Sequence, residues 1–208
     1  SNGQALTTNG SGTLSFATTG GDLSFGGDTF GADKTIGSND AYALSFETNN
    51  AVGLKIDNAG HVTKPLQTAV VWKPTNNSAA VSADTSYTVG SGSDSATEII
   101  DRNGDFSGHT FTAPITGIYF LSASIHIQSY DHDNNYSAAW IETSNRQYRL
   151  FQRPNGAFAV DGGYQFAGGF VADMDASDTA TWVFRNDQGT SQPYVTQERS
   201  IFGAWLLG

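Results

Sequence analysis

The apolar positions of this chain recur with a period of two, in short runs bounded by Gly, Asn, Asp and Ser. The clearest run starts at Gly117 and continues through Ile118-Tyr119-Phe120-Leu121-Ser122-Ala123-Ser124-Ile125-His126-Ile127-Gln128. One face carries Tyr119, Leu121, Ala123, Ile125 and Ile127. The other begins apolar with Ile118 and Phe120, then turns polar through Ser122, Ser124, His126 and Gln128. Such alternation predicts a strand whose first face is core. The second face is expected to be buried at its apolar end and half-buried, or turned to a partner, at the other. Pro114 lacks an amide donor and Gly117 permits a bend, so a turn or edge precedes the strand.

The same reading along the chain predicts strands at residues 68–72, 86–89, 97–101, 106–112, 138–143, 147–152, 164–172, 179–184 and 200–207. Turn residues separate them, and no stretch keeps a helical period, so the class is all-β and the arrangement a sandwich. The first sixty-odd residues differ. Thr13-Leu14-Ser15-Phe16, Asp22-Leu23-Ser24-Phe25 and Ala43-Leu44-Ser45-Phe46 repeat one short phrase, followed by an alternating run from Gly53 to Val62. Strands so short cannot offset their ordering entropy alone and need neighbours from other repeats or other chains. The spaced Phe16, Phe25, Phe30 and Phe46 are too apolar for a flexible linker.

Composition places the boundary between these parts. Lys34, Lys55, Lys64 and Lys73 precede all the arginines, which begin at Arg102, and the tryptophans begin at Trp72. With Pro65 as punctuation, the organisation is 1–66 and 67–208. The net charge of −10 excludes a nucleic-acid backbone and disfavours an anionic membrane. No apolar run is long enough to span a bilayer, so no membrane insertion is expected. Cysteine is absent, which leaves packing and assembly to provide stability. With no initiator Met, the chain reads as part of a longer protein.

Candidate chemistry gathers in one polar loop. Tyr130-Asp131-His132-Asp133-Asn134-Asn135-Tyr136 offers carboxylate, imidazole and amide groups between two aromatic rings. It reads as a solvated acidic loop, as a contact for ligand hydroxyls with tyrosines as stacking faces, or as a calcium site through Asp131 and Asp133. His126 is a metal candidate if its strand face meets a threefold axis, and otherwise a hydrogen-bonded interface histidine. Tyr148, Arg149, Arg153 and Asn155 suit either ion pairing on a strand surface or a hydroxylated or anionic glycan. Asp173 and Asp175 allow paired-carboxylate glycan cleavage. No cysteine nucleophile, zinc-spaced His-Glu pair or phosphate loop is present, so an enzyme is not expected and no cofactor is required.

Two resemblances sharpen the picture. Phe111-Thr112-Ala113-Pro114 with Gly117, Tyr119 and Phe120 resembles the core of the complement C1q globular head, a relative of the tumour necrosis factor jelly roll. Ser200-Ile201-Phe202-Gly203-Ala204-Trp205-Leu206-Leu207 is similar to that family's closing strand, and Ile99 to Asn103 and Ser177-Asp178 fit its pattern. No collagen-like tract precedes the head, and the stretch from Asn103 to Phe111 is short for the family. Upstream, Gly3-Gln4-Ala5-Leu6-Thr7-Thr8-Asn9-Gly10-Ser11-Gly12-Thr13-Leu14-Ser15-Phe16 and Leu54-Lys55-Ile56-Asp57-Asn58-Ala59-Gly60-His61-Val62 resemble bacteriophage tail-fibre phrases.

Together they imply a short intertwined trimeric β shaft leading into a C1q/TNF-like jelly-roll head. The implied partners are two further copies and a bacterial surface receptor, possibly polysaccharide. The implied place is the distal end of a fibre on the virion, outside the cell. A cellular or secreted C1q-like protein-binding module is the alternative, and a polysaccharide depolymerase a third.

Overall fold

The computed structural model describes residues 4–8, 10–18, 31–132, 134–154, 160–187 and 192–208. The chain divides into two compact units, Ser1–Tyr42 and Ala43–Gly208.

In the first unit, β1 (Gln4–Thr8) and β2 (Leu14–Thr18) form an antiparallel hairpin in the register Leu6 to Phe16. Leu6 and Leu14 are both exposed. The phrase at residues 22–25, with Phe25 and Phe30, lies outside the described residues.

The second unit opens with a three-stranded meander of β3 (Leu44–Thr48), β4 (Ala51–Ile56) and β5 (Val62–Thr63). Asn49 and Asn50 turn β3 into β4 with φ of 50° and 59°, the left-handed pair that a two-residue hairpin loop needs. The Asp57 carboxylate accepts from the amides of Ala59 and His61, each at 2.9 Å, and closes the turn between β4 and β5. Phe46, Val62 and Leu66 stay exposed. The meander thus has a regular backbone but little core of its own.

The sandwich follows. Its strands are β6 (Ala69–Pro74), β7 (Thr85–Thr88), β8 (Ala96–Asp101), β9 (Phe106–Ser107), β10 (Thr110–Thr112), β11 (Gly117–Tyr130), β12 (Tyr136–Thr143), β13 (Gln147–Pro154), β14 (Gly162–Met174), β15 (Thr179–Asp187), β16 (Tyr194–Val195) and β17 (Ile201–Leu206). One sheet has the order β14-β11-β17-β6-β8, with β16 also pairing β11. The other has the order β13-β12-β15-β10-β9, with β7 pairing β15. Non-consecutive neighbours and antiparallel pairing throughout make this a two-sheet jelly roll. The expected sandwich strands are present, except that 106–112 is a hairpin of two short strands, β9 and β10. The hairpin at Ser144-Asn145 is as expected, with Thr143 Oγ1 accepting from the Arg146 amide at 3.1 Å.

The core lies between the sheets. Tyr119, Leu121, Ala123, Ile125 and Ile127 of β11 all face it, as their alternation predicts. Trp72 stacks on Phe202 at 4.6 Å and Phe106 at 5.1 Å and meets Trp182 edge-on at 5.6 Å. Trp182 donates to the Ser122 carbonyl at 2.9 Å and so ties one sheet to the other. Asp94, fully buried, accepts from the Gly90 amide at 2.7 Å and from the Tyr87 hydroxyl. Burial, and then the Asp94 carboxylate, push the Tyr87 phenol well above its ordinary range.

The outer face of β11 departs from expectation. Its apolar end was expected to be buried on both faces, yet Ile118 is 42% exposed and Phe120 half-buried. Among the described residues no strand crosses that end. The polar end is the covered one, because β16 pairs β11 at Ile127 and Gln128 and places residues 196–199 beside His126.

Candidate functional site

The two ends of the sandwich differ in what they can do. The chain enters at Thr68, whose carbonyl accepts from the Leu206 amide at 3.3 Å, next to the start of β11. The Tyr130 loop follows the other end of β11, about 35 Å away at the usual rise per strand residue. The candidate loop therefore sits at the end of the head farthest from the point of entry.

Within that loop the residues have separate fates. Tyr130 is 1% exposed, with its ring edge-on to Tyr164 at 5.5 Å, so it presents no stacking face to a ligand. The cause is a bulge between Ile127 and Tyr130, with Ser129 at φ 57°, which turns Tyr130 inward. Asp131 is also buried. Asn134 is buried against Ser137 and Asn186. Asn135 is exposed and its amide donates to the Asp187 carbonyl at 3.2 Å. Asp133 and Asn155 lie outside the described residues.

His132 joins its loop to the segment before β14. Its Nδ1 lies 2.6 Å from Asp161 Oδ1, and its backbone amide donates to the same oxygen at 2.9 Å. These contacts hold the Asp161 carboxyl below its ordinary range. Asp131, His132 and Asp161 bring one ligand atom each within 4.8 Å of one another. Calcium takes about six to eight oxygens, so this set of two carboxylates and an imidazole suits it poorly. His126 belongs to a different neighbourhood.

Tyr136 and Arg149, singled out in the sequence, do meet. Arg149 Nη1 donates to the Tyr136 hydroxyl at 3.1 Å, and its guanidinium lies 4.7 Å over the Trp140 ring. Trp140 Nε1 donates to Glu142, which also accepts from Gln147 Nε2 at 2.8 Å. This network lies on the outer face of the β12 sheet; Arg153, exposed on β13, is the register partner of the buried Ser137, which has the opposite parity to Trp140 along β12. Trp140 was not identified from sequence. Its place on the outer side of β12, opposite Val183, was the available signal.

Asp173 and Asp175 lie at the entry end. Asp173 pairs with Arg146 at 3.0 Å, and Asp175 accepts from Thr116 Oγ1 at 3.3 Å. Asp178 closes the turn, its carboxylate accepting from the Asp175 amide at 2.8 Å.

His126 sits at the far end of the outer β11 face. It is buried, and its Nδ1 lies 3.1 Å from Thr196 Oγ1. Burial, and then the positive charge of Arg199, lower its pKa from the ordinary 6.5. The unfolded chain therefore binds this proton first as pH falls, so stability drops below about pH 6.5. We expect His126→Gln to flatten the decline of melting temperature between about pH 6.5 and 5. An unchanged slope in thermal scans at stepped pH would contradict this.

Two surfaces remain on the outer face of the β11 sheet. A groove of about 260 Å³ is lined by Asn77, His126, Gln128, Thr196, Gln197, Glu198 and Arg199. Nearer the entry end runs an apolar strip. Phe120 lies between its register partners Val171, 60% exposed, and Trp205. Ile118 and Ile201, 45% exposed, extend the strip. The Phe120 and Trp205 rings lie over glycines, Gly169 on the neighbouring β14 and Gly203 two residues before Trp205 on β17. A Cβ on Gly169 would come 2.3 Å from the Phe120 ring, and one on Gly203 2.3 Å from the Trp205 ring.

No protein-family model matches the sequence, and a search of curated proteins finds no match. Solved structures similar to it include murine APRIL at pH 8.0, with 13% identity, 68% of this chain and 99% of that one covered, and a TM-score of 0.48. The globular domain of zebrafish complement 1qA aligns at 15% identity over 68% of this chain and 98% of that one, with a TM-score of 0.46. Eiger TNF from S. frugiperda aligns at 16% identity over 68% and 93%, with a TM-score of 0.45.

Proposed function

We propose that this chain is the receptor-binding end of a bacteriophage tail fibre, a homotrimer that attaches the virion to a bacterial surface. The observation that carries the reading is the apolar strip on one sheet of the head, with Ile118, Val171 and Ile201 exposed and Phe120 and Trp205 half-buried among them. Contiguous apolar surface of this kind marks an interface. Further copies of the chain would cover it and leave the far end of the head free. The exposed Leu6, Leu14, Phe46 and Val62 of the leading strands need the same partners. The tail-fibre phrases at residues 3–16 and 54–62 supply the viral part of the reading. Adhesion rather than catalysis is the mechanism, with three identical heads on one rigid assembly gaining affinity through effective concentration.

The test is attachment of the fluorescently labelled full chain to a panel of bacterial strains. Saturable binding to at least one strain, competed by unlabelled chain, is the expected result. Binding to no strain, together with stable capture of a soluble protein, would overturn it in favour of the C1q-like binding module.

A further inference from the structure

We propose that the groove beside His126 is a binding site for one neutral sugar unit. This rests on the reading of the chain as an adhesive head, and it names the ligand class and the residues that would hold it.

The groove's frame is fixed. The Thr196 amide donates to the His126 carbonyl at 3.0 Å, and the Gln197 amide donates to Asn77 Oδ1 at 3.0 Å. Beyond them the His126 amide donates to Ser200 Oγ at 3.0 Å, and the Arg199 carbonyl accepts from Gln165 Nε2 at 2.7 Å. Residues 196–200 are thus pinned at both ends and in the middle. The side chains they present are not engaged in the same way. Among the described residues, the side chains of Gln128, Gln197, Glu198 and Arg199 make no hydrogen bond, although all four line one groove. Polar side chains gathered on a rigid frame with their donors and acceptors open form a prepared surface.

Their chemistry selects the ligand. The two amides each donate and accept, Glu198 only accepts, and Arg199 only donates. Sugar hydroxyls also both donate and accept, so a vicinal pair can bridge a carboxylate and a guanidinium. A phosphate or sulfate would face Glu198, and a cation would face Arg199. Tyr194, the register partner of Gln128, is half-buried and shares its face, just outside the residues that line the groove. Gly163 keeps the wall open, since a Cβ there would come 2.8 Å from Gln128 Oε1 and 3.0 Å from His126 Nε2. The volume of about 260 Å³ lies just below the roughly 300–1,000 Å³ of larger ligand sites, so one sugar unit fits rather than an extended chain.

The test is saturation-transfer NMR on the full chain with glucose, galactose, mannose and N-acetylglucosamine, and with inorganic phosphate and a sialic acid as anionic probes. At least one neutral sugar should receive saturation. Arg199→Ala and Gln128→Ala should each weaken that binding at least tenfold, while Gln152→Ala on the other sheet leaves it unchanged. Arg199 is an exposed residue outside the strands, so its variant keeps the fold. Silence from all the neutral sugars, saturation of the anionic probes alone, or full binding by both groove variants would overturn the inference. Strain attachment measured on the same variants separates the two ideas. Attachment and sugar binding that both survive in the two groove variants would overturn the groove and leave the adhesive head standing. Sugar binding without attachment to any strain would leave the groove and remove the head's proposed role.

Discussion

Trp72→Ala is expected to destabilise the head by about 3–5 kcal/mol, the range for removing a large aromatic from a packed core. Trp72 is 0% exposed and touches rings from three other strands, so its loss opens the space between the sheets where they are held most closely. Trp72→Phe separates packing from polarity. Among the described residues the buried Nε1 of Trp72 has no hydrogen-bond partner. Phenylalanine removes that donor, offsetting about 1–3 kcal/mol of the packing it gives up. Chemical denaturation at fixed protomer concentration measures both variants, because assembly shifts apparent stability. A loss below about 1 kcal/mol for Trp72→Ala would mean that the core does not close through this residue.

Phe120→Asp is expected to break the assembly while leaving the fold of each chain. Its outward side chain sits between Val171 and Trp205, so a carboxylate there lies in the middle of the strip that copies would bury. An unpaired buried charge costs several kcal/mol, more than a modest interface can absorb. The variant should keep the β-sheet circular dichroism of the parent and lose its assembled mass. Gln152→Asp on the other sheet is the control and should change neither. If Phe120→Asp keeps the parent mass, the strip is not the interface.

Much of the sandwich was legible because its information is local. A period of two gave most of the strands and the inward face of β11, and Gly, Asn and Asp gave the turns. Where the period slips, the reading slips with it. Strict alternation places Tyr130 on the same face as His126 and Gln128, but the bulge at Ser129 turns it into the core. Tyr130 and Tyr136 therefore frame the loop in sequence without framing a ligand site in space. The outer face of β11 was misread for a related reason. Which end is covered depends on β16, some seventy residues away, and nothing in residues 118–128 reports it.

The groove shows the same limit. His126 stood out as a lone histidine on a polar face, but its companions come from residue 77 and residues 196–199. Only the pairing of Ile127 with Val195 brings them together. The pairing of Arg149 with Tyr136 was partly legible, since both were singled out, while the Trp140 ring beneath the guanidinium was not.

The central claim is that identical chains assemble through the apolar strip. Light scattering of the full chain across a range of concentrations tests it most directly. The account predicts a mass about three times the 22.0 kDa chain. A mass of 22.0 kDa at every concentration would contradict it, leaving the strip and the leading strands without the partner this account gives them.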